Sequence, residues 1–262
     1  MKRILLMAVA LVPFVLQAQT AGTGPASDRT ENVLFFDDFV GDKVDEANWM
    51  LCRYGHPVWC RYFDEEAGWR NVRVENGELV LTADNDGRYR FGGIRTRGGF
   101  PLGTLTEVRA RFTKVRGGFP AIWQMPVDGL PWPRSGEIDI MEWVQGTPDL
   151  LYHTIHTFGT PGDPDKGTSR TSVTENTEDW HTYGAARTAD AVIFFLDGKE
   201  LWRYENQHAD DGRIQYPFTE LDFDIILNYS LGGDGTWAGP IHDEDLPAFM
   251  YVDWVKVTAF SE

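Results

Sequence analysis

Residues Ser135-Gly136-Glu137-Ile138-Asp139-Ile140-Met141-Glu142-Trp143-Val144 weave three carboxylates through apolar side chains. Acidic and apolar residues alternate at first, which is the period-2 pattern of a half-buried β-strand and places Glu137 and Asp139 on one face. Glu142 lies five positions after Glu137, so a regular strand would turn it to the apolar face, where an ionised carboxylate is very costly. One extra residue at Ile140-Met141, a β-bulge, returns Glu142 to the acidic face.

This arrangement predicts a definite chemistry for the two glutamates. With one residue absorbed in the bulge, about four strand steps of ~3.3 Å, or ~13 Å, separate the Cα atoms of Glu137 and Glu142. If each side chain leans about 4 Å toward the other, the carboxyl groups end ~5 Å apart, near the separation typical of retaining glycosidases. On this hypothesis Glu137 is the nucleophile and Glu142 the general acid/base. Asp139 lies between them and perturbs their pKa values through its charge.

Two other interpretations of the three acids remain open at this point. Acidic residues on a strand are commonly just its solvated face. Three carboxylates can also ligate a divalent cation such as calcium.

A family resemblance favours the catalytic interpretation. Gly136–Glu142 resembles the E-x-D-x-x-E signature of glycoside hydrolase family 16, in the bulged form seen in its laminarinases, agarases, porphyranases and κ-carrageenases. Further segments resemble strands of that family: Glu107–Phe112, Gly118–Pro126, Tyr152–His156, Phe195–Lys199, Ile226–Asn228 and Tyr251–Val257. The resemblance covers roughly residues 33 to 260.

The rest of the chain is typical of an all-β protein. Short apolar or alternating runs recur from Val33 onward, separated by turn signals such as Asn76-Gly77 and Asp197-Gly198. Pattern alone leaves a sandwich and a barrel open. The resemblance implies a β-jelly-roll sandwich of two curved antiparallel sheets with a concave, concanavalin-like substrate cleft. A length of 262 residues is compatible with one such domain, expected at residues 33–262.

The N-terminus predicts export. Met1-Lys2-Arg3, an apolar run and small residues up to Ala21 indicate a signal peptide over residues 1–21, followed by a flexible lead-in at 22–32. The apolar run is short for a membrane span, although a retained N-terminal anchor is the alternative. We expect a monomer in the periplasm, at the cell surface or outside the cell.

The net charge of −16 disfavours nucleic acid and anionic membrane surfaces as partners. A strongly sulfated glycan would need a local basic patch against this field. The two cysteines, Cys52 and Cys60, are expected to form a small-loop disulfide if the protein is exported, with two unbridged thiols as the alternative.

Aromatic residues make up 13% of the chain, including 10 tryptophans, which is more than a core needs. Sugar rings have an apolar face that stacks on aromatic rings, so substrate binding is predicted for Trp132 and Trp143, and then for Trp123 and Trp237. Core packing is the alternative for each of them.

Polar residues complete the predicted cleft. His153 and His156 lie three apart and so on opposite faces of a strand, and the resemblance implies that His156 lies beside the acid/base. Asn228 and Arg95 are expected to point into the cleft, unless they satisfy buried backbone groups instead. The loops at residues 52–60 and 232–240 differ from those of common laminarinases, and such loops select the glycan.

The resemblance also implies a structural calcium held by Asp253 and a carbonyl near Gly77. Asp253 is otherwise a solvated strand residue. No organic cofactor is required for the reaction. The sequence thus predicts an endo-acting retaining β-glycanase that acts on a polysaccharide or oligosaccharide, with β-1,3-glucan or mixed-linkage β-glucan as the first substrate. The alternatives are an endo-β-galactosidase acting on galactan or mucin-type O-glycans, and a non-catalytic lectin.

Overall fold

The computed structural model describes residues 32–52, 59–63, 69–159, 167–174, 176–208 and 215–260. Strands dominate these residues. In chain order they are β1 (Asn32–Asp37), β2 (Trp49–Leu51), β3 (Val72–Glu75), β4 (Glu78–Asn85), β5 (Tyr89–Phe91), β6 (Gly93–Thr96), β7 (Thr104–Phe112), β8 (Gly118–Pro126), β9 (Glu137–Glu142), β10 (Leu151–His156), β11 (Thr168–Ser172), β12 (His181–Arg187), β13 (Ala191–Leu196), β14 (Lys199–Glu205), β15 (Phe223–Leu231) and β16 (Ala248–Ala259).

The strands form two antiparallel sheets. The nine-stranded sheet has the order β14-β13-β12-β7-β16-β4-β3, with β1 added beside β16 and β5 beside β4. The seven-stranded sheet has the order β11-β10-β9-β8-β15-β6-β2. The predicted catalytic strand β9 therefore lies inside the smaller sheet, between β8 and β10, where both of its edges are paired.

The predicted hairpin turns form as the sequence indicates. Asn76 and Gly77, between β3 and β4, have φ values of 56° and 77°. Asp197 and Gly198, between β13 and β14, have φ values of 51° and 74°. Two consecutive residues with positive φ define the type I′ turn, whose twist matches that of the flanking strands.

The core lies between the two sheets. Along β7, buried and half-buried residues alternate over the whole strand, so that one face packs inward. The rings of Phe112, on β7, and Trp143, just after β9, lie 6.3 Å apart across the interface. His153 on β10 and Phe194 on β13 make a similar contact at 6.0 Å. The prediction of an all-β jelly-roll sandwich is confirmed.

The predicted signal peptide at residues 1–21 lies outside the described residues, as does the lead-in at 22–32 except for Asn32. Both stay predictions. In the described part of the chain, no helix combines the length and the apolar character that a bilayer crossing requires.

Candidate active site

The β-bulge predicted in β9 is present. On β10, Tyr152 and Thr154 lie opposite Glu142 and Asp139, so two residue steps along β10 match three residue steps along β9. The same shift occurs on the β8 side, where Ala121 and Trp123 lie opposite Glu142 and Asp139.

The two residues inside the bulge both point into the core. Ile140 and Met141 are consecutive, yet each is 0% exposed. Because the bulge absorbs one residue, Glu142 returns to the face that carries Glu137 and Asp139. All three carboxylates line a cavity of about 80 Å³, together with Trp59, Phe119, Ala121, Trp123 and Asn228.

Some contacts of Glu137 disfavour its ionised form and others favour it. Burial raises its pKa well above the ordinary value, and the charge of Asp139 and a hydrogen bond between the two carboxyl groups raise it further. His156 and the indole of Trp132 act in the opposite direction. Trp132 Nε1 donates a hydrogen bond of 2.5 Å to Glu137 Oε2.

Glu142 has fewer donors. Burial raises its pKa well above the ordinary value, and the negative charges of Asp139 and Glu137 add to this effect. The hydroxyl of Thr154 donates to Glu142 Oε2 over 3.4 Å, which is a weak hydrogen bond. The indole donor at Glu137 stabilises its ionised form, whereas the hydroxyl donor at Glu142 is weaker, and this difference suits a nucleophile at Glu137 and an acid at Glu142.

A metal site is the second chemistry that these side chains permit. One ligand atom each from Glu137, Asp139 and His156 lies within 4.8 Å of the others. Calcium takes six to eight oxygen ligands, so three donors that include an imidazole nitrogen do not match it. Two oxygens and one nitrogen suit a transition metal better.

The family profile described as Glycosyl hydrolases family 16 matches residues 61–255. The chain belongs to this family. The match spans the whole of β9 and both of its neighbours, so the bulged acidic strand lies within the family domain.

Two relatives with named activities are similar to this chain. The chain is 34% identical to a keratan-sulfate endo-1,4-β-galactosidase of Sphingobacterium multivorum, over 81% of this chain and 51% of the relative. It is 33% identical to a β-glucanase of Rhodothermus marinus, over 73% of this chain and 71% of the relative. The chain thus spans only about half the length of the first of these two proteins.

A solved structure resembles the chain more strongly. It is described by the words "Prominent members of the human gut microbiota express endo-acting O-glycanases to initiate mucin breakdown". The TM-score is 0.84 with 48% sequence identity, and the match covers 88% of this chain and 100% of the solved one.

Among the predicted substrate-binding tryptophans of this family 16 domain, Trp132 contacts a proposed catalytic residue directly. Its side chain is 43% exposed, its indole contacts Glu137, and its ring lies 5.6 Å from that of His156. This position leaves an aromatic surface available beside the carboxylates, as a stacking residue requires.

The prediction for Trp143 was wrong. Trp143 is 2% exposed and packs against Phe112 in the core, and its Nε1 donates to the carbonyl of Pro148. Once the bulge has returned Glu142 to the cavity face, the alternation of the strand sends the following residue to the opposite face. Trp143 therefore cannot stack on a substrate in this cavity.

Trp123 and Asn228 line the cavity as a bonded pair. Trp123 Nε1 donates to Asn228 Oδ1 over 2.7 Å, and both side chains are buried. Trp59, which the sequence analysis did not single out, packs edge-on against Trp123 with ring centroids 4.6 Å apart. Trp59 carries no periodic signal because it lies in a loop, so only the folded chain reveals this position.

Trp237 and Arg95 lie farther from the carboxylates. Trp237 is 50% exposed and packs edge-on against Tyr152 and Phe119, with ring centroids 4.9 and 5.7 Å away. Arg95 lies opposite Ile226, in the cross-strand row of Trp123 and Asp139, and so shares the cavity face. Its Nε donates to the buried carboxylate of Asp224 over 2.7 Å.

The predicted position of His156 needs a correction. His156 lies opposite Glu137, and its Nε2 is 3.2 Å from Asp139 Oδ2, so it faces the nucleophile candidate more directly than Glu142, although it also lowers the pKa of Glu142. The antiparallel register explains this, because Glu142 faces Tyr152 at the other end of β10. Thr154 and Tyr152 were missed, although the two-residue period of β10 places both on the face of His156.

The disulfide predicted between Cys52 and Cys60 is absent from this structure, where both side chains are buried and unbridged. Burial raises the pKa of the Cys52 thiol. Because the thiolate is the form that undergoes oxidation, this burial keeps Cys52 in its thiol form.

The calcium site predicted at Asp253 and Gly77 stays a prediction. Asp253 lies in the bulge of β16 and its Oδ2 is 3.0 Å from the guanidinium of Arg109. A calcium ion there would compete with this existing cation for the same carboxylate. Gly77 lies in the nearby β3–β4 turn, and β4 pairs directly with β16.

Proposed function

We propose that this chain is an endo-acting retaining β-glycanase. The observation that carries the proposal is the bulged strand β9, which brings two glutamates of raised pKa and different hydrogen-bond donors to one face of a cavity. Retaining glycosidases need one carboxylate and one carboxylic acid on the two sides of the scissile bond.

The reaction is a double displacement in two steps, in which a glycosyl-enzyme forms and is then hydrolysed. Glu142 donates its proton to the departing glycosidic oxygen while a carboxylate oxygen of Glu137 bonds to the anomeric carbon, giving a glycosyl-enzyme ester. Glu142, now ionised, then takes a proton from water, whose oxygen displaces Glu137 from the anomeric carbon. Two inversions leave the configuration of the sugar unchanged.

Two substrate classes compete, and the galactose-containing one has the stronger support. The structure associated with mucin O-glycanases is 48% identical over its full length, and a keratan-sulfate endo-β-galactosidase is 34% identical. The second candidate, β-1,3-glucan or mixed-linkage β-glucan, has support from the 33% identical β-glucanase, which this chain covers over 71% of its length.

A product analysis separates these candidates. The protein is incubated with laminarin, barley β-glucan, agarose, keratan and mucin O-glycans, and the oligosaccharides released are identified by mass spectrometry. We expect internal cleavage of the galactose-containing glycans. Oligosaccharides from laminarin or barley glucan alone would establish the glucanase, and binding without any product would establish a lectin.

The two glutamates are tested by substitution. We expect Glu137→Ala and Glu142→Ala each to lose nearly all activity and still bind glycan, because neither change fills the cavity. Azide should restore turnover of Glu137→Ala by attacking the anomeric carbon on the vacated side, and the glycosyl azide should have inverted configuration. An undiminished rate in either variant would reject the assignment.

We also propose that the protein is exported and acts as a monomer. The charged and apolar leader supports export. Mass spectrometry of the mature N-terminus would test it, since a start near residue 22 is expected. Size-exclusion chromatography with light scattering would test the monomer.

A further inference from the structure

The bulge that sets the position of Glu142 contains one residue without a cross-strand partner. Ile140 is paired with no residue in the registers of β9 with β8 or with β10. A bulged residue leaves the regular ladder, and a buried backbone carbonyl that loses its ladder partner requires another donor.

His153 supplies a donor to this residue. It is the residue of β10 between Tyr152 and Thr154, so it faces the bulge directly. His153 Nδ1 lies 2.7 Å from the carbonyl oxygen of Ile140, and His153 is 1% exposed.

The contacts of the ring fix its tautomer. A carbonyl oxygen only accepts hydrogen bonds, so Nδ1 carries the proton and donates to Ile140. His153 Nε2 lies 2.7 Å from the hydroxyl oxygen of Ser172 and accepts a hydrogen bond from this hydroxyl. Burial lowers the pKa of His153, which keeps the ring neutral with one donor and one acceptor.

We propose that His153 is a positioning residue for the general acid: by holding the carbonyl of Ile140, it fixes the bulge that presents Glu142 to the scissile bond. The inference rests on the proposed function, since it assigns a role in that reaction. It concerns Glu142 more than Glu137, because Glu137 and Ile138 precede the bulge and keep regular partners in His156 and Ile155.

Two amide substitutions separate the two hydrogen bonds of the ring. The amide nitrogen of His153→Asn lies where Nδ1 lies and keeps the bond to Ile140. The longer side chain in His153→Gln places its amide near Ser172, where Nε2 lies, and loses the hydrogen bond to the carbonyl of Ile140. Both variants place a neutral amide in the same buried site, so a general loss of packing affects them alike. Ser172→Ala is the third variant, and it leaves the bond from Nδ1 intact.

The rates are measured on two substrates that differ in how much their leaving group needs protonation by a general acid. One is the glycan that the wild type cleaves, whose leaving group needs protonation. The other is a 2,4-dinitrophenyl β-glycoside of a disaccharide, either β-1,3-linked glucose or one with galactose at its reducing end, whose leaving group departs without an acid. We expect His153→Gln to lower kcat on the glycan by about 100-fold, since a small misplacement of a catalytic group has effects of this size. Its kcat/KM on the aryl glycoside should fall by less than about fivefold, because kcat/KM reports only the formation of the glycosyl-enzyme, where this leaving group needs no acid. The comparison of the two substrates uses kcat/KM, since kcat also includes the second step, in which Glu142 is the base.

The expected order of kcat on the glycan is wild type, Ser172→Ala, His153→Asn and then His153→Gln, with KM nearly constant and thermal unfolding similar in the two amide variants. Equal losses of kcat in the two amide variants, or equal losses of kcat/KM on the two substrates, would overturn the positioning role. Glu137→Ala and Glu142→Ala are assayed in parallel. If those variants keep their activity, the proposed function fails; if they lose it while His153→Gln retains full kcat on the glycan, only the positioning inference fails.

Discussion

The negative charge of Asp139 acts on both proposed catalytic groups, in the direction opposite to His156. Its carboxylate raises the pKa of Glu137 and of Glu142, so the two glutamates titrate at a higher pH than they would alone. We predict that Asp139→Asn lowers both pKa values and moves the whole bell-shaped profile of kcat/KM toward acid pH. The profile is measured on the accepted glycan between pH 3 and 9.

Thr154→Val provides the control of opposite sign. The Thr154 hydroxyl lowers the pKa of Glu142, so its loss should move the alkaline limb toward higher pH. If Asp139→Asn left the alkaline limb in place, the charge of Asp139 would not govern the acid, and its role would be restricted to geometry.

The same charges affect stability. The raised pKa of Glu142 means that the folded protein keeps a proton which the unfolded chain releases above about pH 4.3. The free energy of unfolding therefore falls as the pH rises from that value toward the folded pKa, by about 1.4 kcal/mol for each pKa unit of the shift. We predict that Glu142→Gln raises the melting temperature at pH 7 and leaves it unchanged near pH 3.5. Calorimetry at both pH values measures this, and an equal gain at the two would point to packing instead of charge.

The bulge of strand β9 could be predicted from the sequence. Its consequence for the residue that follows Glu142 was nevertheless missed. The burial rule for a carboxylate predicted the bulge, because Glu142 would otherwise face the core. The same alternation, continued by one residue, places Trp143 in the core, and its aromatic character was the misleading signal. The turns, the strands and the three acids follow from local patterns, whereas the two-sheet jelly roll was predicted from the family resemblance. Trp59, and His156 beside Glu137, depend on loop placement and on cross-strand register, which local patterns do not specify.

The partner strands of β9 already have a regular register, which makes a deletion informative. Without Ile140, Asp139 and Glu142 would lie two apart, like Thr154 and Tyr152 opposite them. We predict that deletion of Ile140 preserves the strand pairing, keeps the glutamates on one face and retains measurable activity. Its cost in stability should resemble that of a large core truncation, about 2–5 kcal/mol.

Insertion of one alanine between Met141 and Glu142 is the matched control. That change turns Glu142 toward the core, so activity should fall to the level of Glu142→Ala. In the deletion background the bulge carbonyl is gone, so His153→Asn and His153→Gln should no longer differ. Activity and urea unfolding are measured for each variant, and a deletion as inactive as the insertion would contradict this account of the bulge.

At the scale of the whole molecule, the two faces of the seven-stranded sheet have different tasks. One face packs against the nine-stranded sheet and is held by apolar contacts such as Phe112 with Trp143. The other carries the carboxylates, and the interior strand β15 of this sheet is buried along its whole length. A site built on paired central strands is rigid, which suits catalytic groups that must be held to within a fraction of an ångström.

The charge of the molecule bears on the choice between related glycans. A net charge of −16 repels anionic substrates, and Arg95 on the cavity face is already paired with Asp224. We predict that a desulfated glycan has a higher kcat/KM than its sulfated form at low ionic strength. The ratio should approach one as salt rises, because the screening length falls from about 30 Å at 0.01 M to about 3 Å at 1 M.

Keratan oligosaccharides before and after chemical desulfation, or sulfated and native laminarin for a glucanase, provide the matched pairs. A preference for the sulfated form at 0.01 M would mean that a local cation overrides the net field, and Arg95→Ala would then show whether Arg95 supplies it.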